Sequence, residues 1–384
     1  LCRQMKIIAR SRRISTRFFI WISQQMQKFY CFRKYLPSLL LIQLSLAVFI
    51  NAQNSKSVQI RKDEAKKRVD VLVDGKLFTS YIWSSNLKRP ILYPIKTSKG
   101  TSVTRGFPLE PRTGESVDHP HQVGLWLSYG DVNGIDFWNN SIYRRPEEVK
   151  HMGTVVHRKI IRTTSGNSRG DLKVQADWLM PDGKVILNET TEFVFRAGKD
   201  FRSIDRITML RALDQNVIFN DTKEGMFGMR VSRELEQPAK EPIRLVGADG
   251  QPSAERILDN KNISGEYSSS EGKVGDDVWG TRAKWALLSG KVDGEEITLA
   301  IFDDPKNVGF PTYWMTRGYG LFAANPLGQK AYTSEKRGPD IKEMKFTLGP
   351  KRSVRFRYRL VILSQMETPE QIESLYRDFI KKSK

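Results

Sequence analysis

Three Asp-Gly pairs, Asp74-Gly75, Asp182-Gly183 and Asp293-Gly294, each separate two runs in which apolar residues recur at alternate positions. Asp and Gly tolerate the positive φ of a tight hairpin turn, so each pair reads as a turn between antiparallel strands. The first joins Val69–Val73 to Leu77-Phe78. The second joins Leu172–Leu179 to the arm from Lys184 to Phe195, and the third joins the run around Trp285–Leu288 to Ile297–Phe302. Near the end, Val354, Phe356, Tyr358 and Leu360 share one strand face, while Arg355, Arg357 and Arg359 share the other, which reads as a solvated row. One segment reads as helix. Thr368 is its N-cap, Pro369 its first residue and Gln371 the partner in a capping box, and Ile372, Leu375, Tyr376, Phe379 and Ile380 follow at helical spacing. This helix is expected to clasp a sheet. The polar stretch Gln237–Asp277 is expected to be a long excursion, over a site or along a seam. The fold expected is all-β: a large antiparallel β-sandwich, supersandwich-like, with a C-terminal helix, and residues 53–384 forming a single domain.

The formal charge of +20 invites a nucleic-acid reading until it is divided along the chain. Residues 1–52 hold nine basic residues, no acidic residue and both cysteines, Cys2 and Cys31, which leaves +11 on the rest. Met26 opens an export signal: basic Lys28, Arg33 and Lys34, an apolar run from Leu36 to Ile50, then Ala52-Gln53 as the cleavage point. That run is shorter than the roughly 20 apolar residues a membrane span needs. Residues 1–25 therefore read as an upstream extension of the reading frame and 26–52 as a cleaved signal peptide. The mature protein is expected in the periplasm or outside the cell, with no stable membrane span. A cysteine-free body excludes disulfide scaffolds, Cys-based zinc sites and thiol nucleophiles there. Without a basic helix or a nucleic-acid module, nucleic acid is not an expected partner. No P-loop, GxGxxG, HExxH or GxSxG pattern points to a nucleotide cofactor or a serine nucleophile.

All four histidines fall between positions 119 and 157. His119 and His121 flank Pro120, which is expected to extend His119 and turn both imidazoles to one side, for acid–base work or metal ligation. His157 would complete a metal set from a neighbouring strand. No cofactor is expected, and a divalent metal on His119, His121 and His157 is the alternative. The stretch 124–140 mixes aromatic, glycine and short polar residues, the combination that sugar sites use, so Asp131, Asn133 and Trp138 are candidate substrate contacts. In Asp221-Thr222-Lys223-Glu224-Gly225, the carboxylates of Asp221 and Glu224 are candidate proton-transfer groups, with Lys223 and nearby Arg230 beside substrate. Tyr313, Trp314, Arg317 and Asn325 are candidates for a substrate wall, joined by Arg105.

Several of these motifs occur together: Asp118-His119-Pro120-His121, Gly130–Gly134, Phe137-Trp138, Asp221–Gly225, Pro311–Trp314 and Tyr319–Pro326. In that order they resemble an exported bacterial family often labelled methane oxygenase PmoA-like and otherwise of unknown function. The resemblance runs from roughly Arg89 to Phe379. A weaker one, from Leu348-Gly349-Pro350 through Tyr358 to Leu375-Tyr376, is to the ending of galactose-mutarotase-type supersandwiches. A particulate methane monooxygenase subunit is an integral membrane protein with several spans, so the label implies no activity for this chain. The sugar-catabolic gene neighbourhoods of the family imply a carbohydrate role. Where many relatives have His-Arg after His121 and His after Trp314, this chain has Gln122-Val123 and Met315, which would leave a metal site incomplete. The expectation is an exported protein acting on a saccharide or glycan by His/carboxylate acid–base chemistry, as hydrolase, lyase or epimerase. His119 or His121 would act with Glu224 or Asp221. A non-catalytic glycan-binding protein and a metal-dependent oxidative enzyme are the alternatives.

Overall fold

The computed structural model describes residues 56–336 and 341–381; the expected upstream extension and signal peptide, 1–52, lie outside the described residues. Asp74 and Gly75 both take positive φ, 49° and 77°, and turn Arg68–Val73 back as Lys76–Ile82. Asp293 and Gly294, at 49° and 79°, do the same between Trp285–Val292 and Glu295–Asp303. Arg169–Leu179 and Val185–Ala197 pair antiparallel across the Asp182-Gly183 turn.

Among the described residues the strands form two large sheets. The nine-stranded sheet runs, edge to edge, Tyr313–Arg317, Leu321–Asn325, Gly225–Arg230, Leu125–Tyr129, Ile91–Leu92, Lys76–Ile82, Arg68–Val73, Ser57–Asp63 and Gly166–Asn167. The eight-stranded sheet runs Glu266–Ser269, Trp285–Val292, Glu295–Asp303, Ser353–Leu363, Phe201–Ala212, Val185–Ala197, Arg169–Leu179 and Thr154–Thr164. Alternate residues of each face inward. Val69, Val71, Leu127, Phe227 and Trp314 of one sheet share a single core with Leu172, Phe195, Ile204 and Ile301 of the other. Each such side chain contributes about 1.5–3 kcal/mol by leaving water. The all-β sandwich expectation holds. The stretch 237–277 is largely irregular, with one short strand and a turn of 3-10 helix, Gly275–Val278. No helix among the described residues is long and apolar enough to cross a membrane.

The C-terminal helix, Pro369–Lys381, begins at the expected capping box: Thr368 N–H donates to Gln371 Oε1 (2.8 Å) and Gln371 N–H to Thr368 Oγ1 (3.4 Å). Ile372, Tyr376 and Phe379 pack on Trp285, Leu287, Phe302 and Val361, the outer face of the eight-stranded sheet. This landing place corrects the solvated arginine row. Arg357 and Arg359 are only 4% and 8% exposed, with guanidinium carbons 4.0 and 4.9 Å from the Phe379 ring centre. Asp205 stands directly opposite Arg359 in the register and takes hydrogen bonds from its Nε and one terminal nitrogen. It also lies 3.0 Å from Arg196 and 3.7 Å from Arg357, while Arg357 donates to Asp304 at 2.8 Å. A strand face is solvated only when nothing covers it, and here a helix does. Next to Asp304, the fully buried Asp303 accepts from Asn307 Nδ2 (2.7 Å) and Thr312 N–H (2.9 Å); burial pushes its carboxyl up to about 8.

Candidate functional site

The site is built where four neighbouring strands, Leu125–Tyr129, Gly225–Arg230, Leu321–Asn325 and Tyr313–Arg317, approach one edge of the nine-stranded sheet. The loop leading into the first of them carries Asp118-His119-Pro120-His121. Buried Arg105 gathers this loop by donating to the carbonyls of Ser116 (3.0 Å), Asp118 (2.9 Å), His119 (3.0 Å) and Gln122 (3.3 Å), and to Asp118 Oδ1 at 2.5 Å. Arg230, also fully buried, donates to the same Oδ1 (2.7 Å), to Gln122 Oε1 (2.9 Å) and to Ser116 Oγ (2.9 Å). Asp118 Oδ2 is left for His119 Nδ1, 2.7 Å away. Burial works against the Asp118 charge, yet Arg230, the His119 hydrogen bond and Arg105 together hold the carboxyl well below the usual range. A carboxylate at Nδ1 selects the tautomer protonated there and leaves Nε2 as the basic nitrogen. His119 has a φ of 41°, a strained value for a non-glycine residue, and its ring stacks on Tyr319 at 4.7 Å.

His119, Lys223, Glu224, Asp276, Trp279 and Arg317, with the rest of 315–319, line one cleft of about 590 Å³. Glu224 enters it just before the strand Gly225–Arg230, with its carbonyl accepting Gly130 N–H at 2.7 Å. Position 130 has to be glycine, since a Cβ there would stand 2.6 Å from the Glu224 Cβ. The Glu224 carboxyl has no hydrogen bond or ion pair with the described residues. Burial raises its pKa; Lys223, Arg317 and His119 pull the other way, and Asp136 adds to the rise. Lys223 and Arg317 share one carboxylate, Glu335, at 3.2 and 3.5 Å, and Asp276 on the same wall pairs with Lys240 at 3.0 Å, which leaves Lys223 and Arg317 as the cations nearest Glu224 in the cleft. Arg317 also lies 4.4 Å over the Trp279 ring.

The other expected site residues have different tasks. Asp221 accepts backbone N–H groups from Gln329, Lys330, Ala331 and Met344 at 2.8–3.1 Å, which caps the helix Lys330–Glu335 and leaves no oxygen for proton transfer. Arg105 and Arg230 hold the histidine loop instead of substrate. Asp131 Oδ1 takes Gly134 N–H and Asn220 Nδ2, and Asn133, at φ 55°, bonds Ile218 N–H and the Asn216 carbonyl; both shape a turn. Trp138 packs against Trp126 in the core at 5.0 Å, and Trp314 donates its Nε1 to the Ala283 carbonyl at 3.0 Å. Tyr313 is covered by Tyr332, stacked at 5.2 Å. Asn325 is buried, and its amide donates to the Thr222 carbonyl at 2.8 Å, so it steadies the loop that presents Lys223 and Glu224. Aromatic and short polar residues at strand ends serve cores and turns as readily as sugars, and that use prevails here.

The metal alternative also loses its geometry. The turn at His119 replaces the extended conformation expected before Pro120, and His121 lines a separate cavity. His157 bonds Tyr81 through Nδ1 at 3.1 Å and lies against Trp83 at 4.3 Å, in a third place. Among the described residues no three side chains of metal-binding type come together.

A family profile described as "Family of unknown function (DUF6807)" matches residues 68–377. The chain belongs to the DUF6807 family. No curated protein matches this DUF6807 sequence. Among solved structures it is similar to a galactose mutarotase-like protein from Clostridium acetobutylicum, at 8% identity and a TM-score of 0.35, over 81% of this chain and 99% of that one. It is also similar to a galactose mutarotase related enzyme from Lactobacillus acidophilus, at 8% identity and a TM-score of 0.29, with the same coverage. Likeness at that level assigns no residue a role.

Three residues of the DUF6807 cleft region escape sequence reasoning as participants: Asp118, Tyr319 and Trp279. The adjacency Asp118-His119 was a usable signal for the first. Trp279 follows a polar stretch and belongs to no motif.

Buried groups also set how stability responds to pH. Burial, with Arg89 next, pushes His121 down to about 2, and burial pushes His157 down to about 4. In the unfolded chain both take a proton near the ordinary value of 6.5. Their stabilisation is therefore present above 6.5 and lost as pH falls below it. Asp303 has the opposite sign: its contribution is full below 3.8 and is lost as pH rises toward about 8. The raised carboxyls of Glu224 and buried Glu236 act with the sign of Asp303, so below 6.5 the two histidines oppose three acids, whereas above 6.5 only the acids still act. The melting temperature should therefore fall as pH rises above about 6.5, and His121→Phe should remove part of the loss on the acid side. A melting temperature that rises steadily from about pH 5 to about pH 8 would contradict this balance.

Proposed function

We propose that this protein is an exported enzyme acting on a saccharide by acid–base chemistry in the 590 Å³ cleft, with His119 Nε2 as the base and Glu224 as the acid. One observation carries the reading. An unpaired carboxyl biased by burial toward its protonated form shares a cleft with an imidazole whose tautomer is fixed by Asp118. A carboxyl biased toward its acid form in one cleft with an imidazole that presents a lone pair is the arrangement a paired acid and base require.

The charges narrow the reaction. Glycoside hydrolysis passes through an oxocarbenium-like cation flanked by two carboxylates. Lys223 and Arg317 would oppose such a cation, but they would stabilise negative charge developing on substrate oxygen after a proton is withdrawn. Elimination or epimerisation is favoured over hydrolysis. A purely binding role is less well supported, because the aromatic faces a sugar would stack on are covered: Trp279 by Arg317, and Tyr319 by His119, with Arg230 also over its ring. Export rests on the Met26–Ala52 leader.

Incubation with neutral and uronate-containing glycans, followed by mass and NMR analysis of products, tests the proposal. Unsaturated or epimeric products are expected. Calorimetric binding with no product would move the protein to the glycan-binding reading, hydrolysis alone would remove the charge argument, and turnover lost on chelation and restored by a metal would favour the oxidative reading.

A further inference from the structure

Across Pro120 from the cleft lies a second cavity, of about 160 Å³, lined by Arg89, His121, Asn140, Ser141 and Tyr143 among others. Its polar groups are left incomplete by the protein. His121 is 6% exposed, and neither of its ring nitrogens meets a donor or acceptor among the described residues. Asn140, 4% exposed, donates its amide to the Gly153 carbonyl at 2.8 Å, while its Oδ1 has no partner among the described residues. Arg89, also 4% exposed, donates to the carbonyls of Phe137 (2.8 Å) and His121 (2.7 Å), but among the described residues no carboxylate forms an ion pair with it, Asp136 acting on it only at longer range. A buried cation without a paired carboxylate and buried polar atoms without partners are each costly, and a ligand that supplies what is missing recovers that cost.

The unmet needs describe the ligand. A neutral imidazole offers one N–H and one lone pair, the Asn140 oxygen can only accept, and Arg89 lacks a negative charge. The ligand must bring an anionic acceptor and a hydroxyl donor together. At about 30 Å³ per water-sized group, the cavity holds roughly five non-hydrogen atoms. Longer molecules would emerge at a rim where Ile142 and Tyr143 are exposed. We propose that this cavity binds a small hydroxy-carboxylate of about the size of glycolate, with its carboxylate on the His121 N–H beside Arg89 and its hydroxyl donating to Asn140 Oδ1. The site is separate from the cleft and does not depend on the chemistry proposed there.

Calorimetry on the whole protein with glycolate and glycerate, against acetate, glycerol and inorganic phosphate, tests it. Glycolate or glycerate should bind saturably. Acetate, lacking the hydroxyl, should bind about tenfold more weakly, and glycerol, lacking the charge, should not bind. His121→Phe keeps the backbone carbonyl that Arg89 uses and should lose about tenfold or more in glycolate affinity. Should that variant fail to fold, the imidazole ¹⁵N resonances of the unaltered protein decide, since those of His121 should shift as glycolate is added. Glycerol or phosphate binding as tightly as glycolate, undiminished binding by His121→Phe, or His121 resonances unmoved by glycolate would each overturn the proposal.

Discussion

Replacing Glu224 by Gln is expected to lower saccharide turnover by roughly 10²–10⁴-fold, the usual contribution of a single general acid or base. The fold should survive, because the carboxyl has no partner to lose and an amide of the same volume removes the penalty of holding a charge in a partly buried place. His119→Ala should cause a fall of similar size, but it also removes the Asp118 hydrogen bond and the Tyr319 stack, so its melting temperature is to be measured alongside. A pH–rate profile separates the two roles. The alkaline limb, where the acid has lost its proton, should vanish in Glu224→Gln while the acid limb remains. Full turnover by Glu224→Gln on an identified substrate would remove Glu224 from the mechanism.

The largest effect on stability is expected at Asp205. Its carboxylate sits among Arg196, Arg357 and Arg359 beneath the C-terminal helix, and Asp205→Asn would leave three buried or half-buried guanidinium groups without it. Removing one side of a buried ionic cluster typically costs about 3–5 kcal/mol. Urea denaturation should show that loss as a lower midpoint. Combining Asp205→Asn with Arg359→Met should recover part of it, since an apolar side chain under Phe379 needs no counter-charge. Unchanged unfolding of Asp205→Asn would mean that Asp304 and backbone carbonyls already suffice for the arginines.

What the sequence disclosed follows the range over which each signal acts. The Asp74-Gly75 and Asp293-Gly294 hairpins depend on φ at two adjacent residues, and they formed where expected. The Thr368–Gln371 cap is equally local. The arginine row departs from its solvated expectation because its environment depends on where the helix lands, which no local pattern encodes. The same holds at the site. Asp221 looks like a catalytic carboxylate beside Glu224, but its partners lie more than a hundred residues away in the Lys330–Glu335 segment. Asn325 and Arg230 likewise have the residue types of substrate contacts, but distant backbone and side-chain groups claim them. His119, Lys223, Glu224 and Arg317, drawn from three separate stretches, do meet in one cleft. Their chemistry could be read from residue type, but their meeting depended on the order of strands in the sheet.

Arg105 fastens the histidine loop through four backbone carbonyls, contacts that do not depend on which side chains the loop carries. On the function proposed above, the imidazole of His119 is thus aimed before substrate arrives, so association does not have to organise the loop and more of the binding free energy remains for the transition state. It also lets the loop accept new side chains at positions such as 119 and 121 without giving up its shape. Residues on either side of Pro120 can then change in chemistry while the main chain stays where it is.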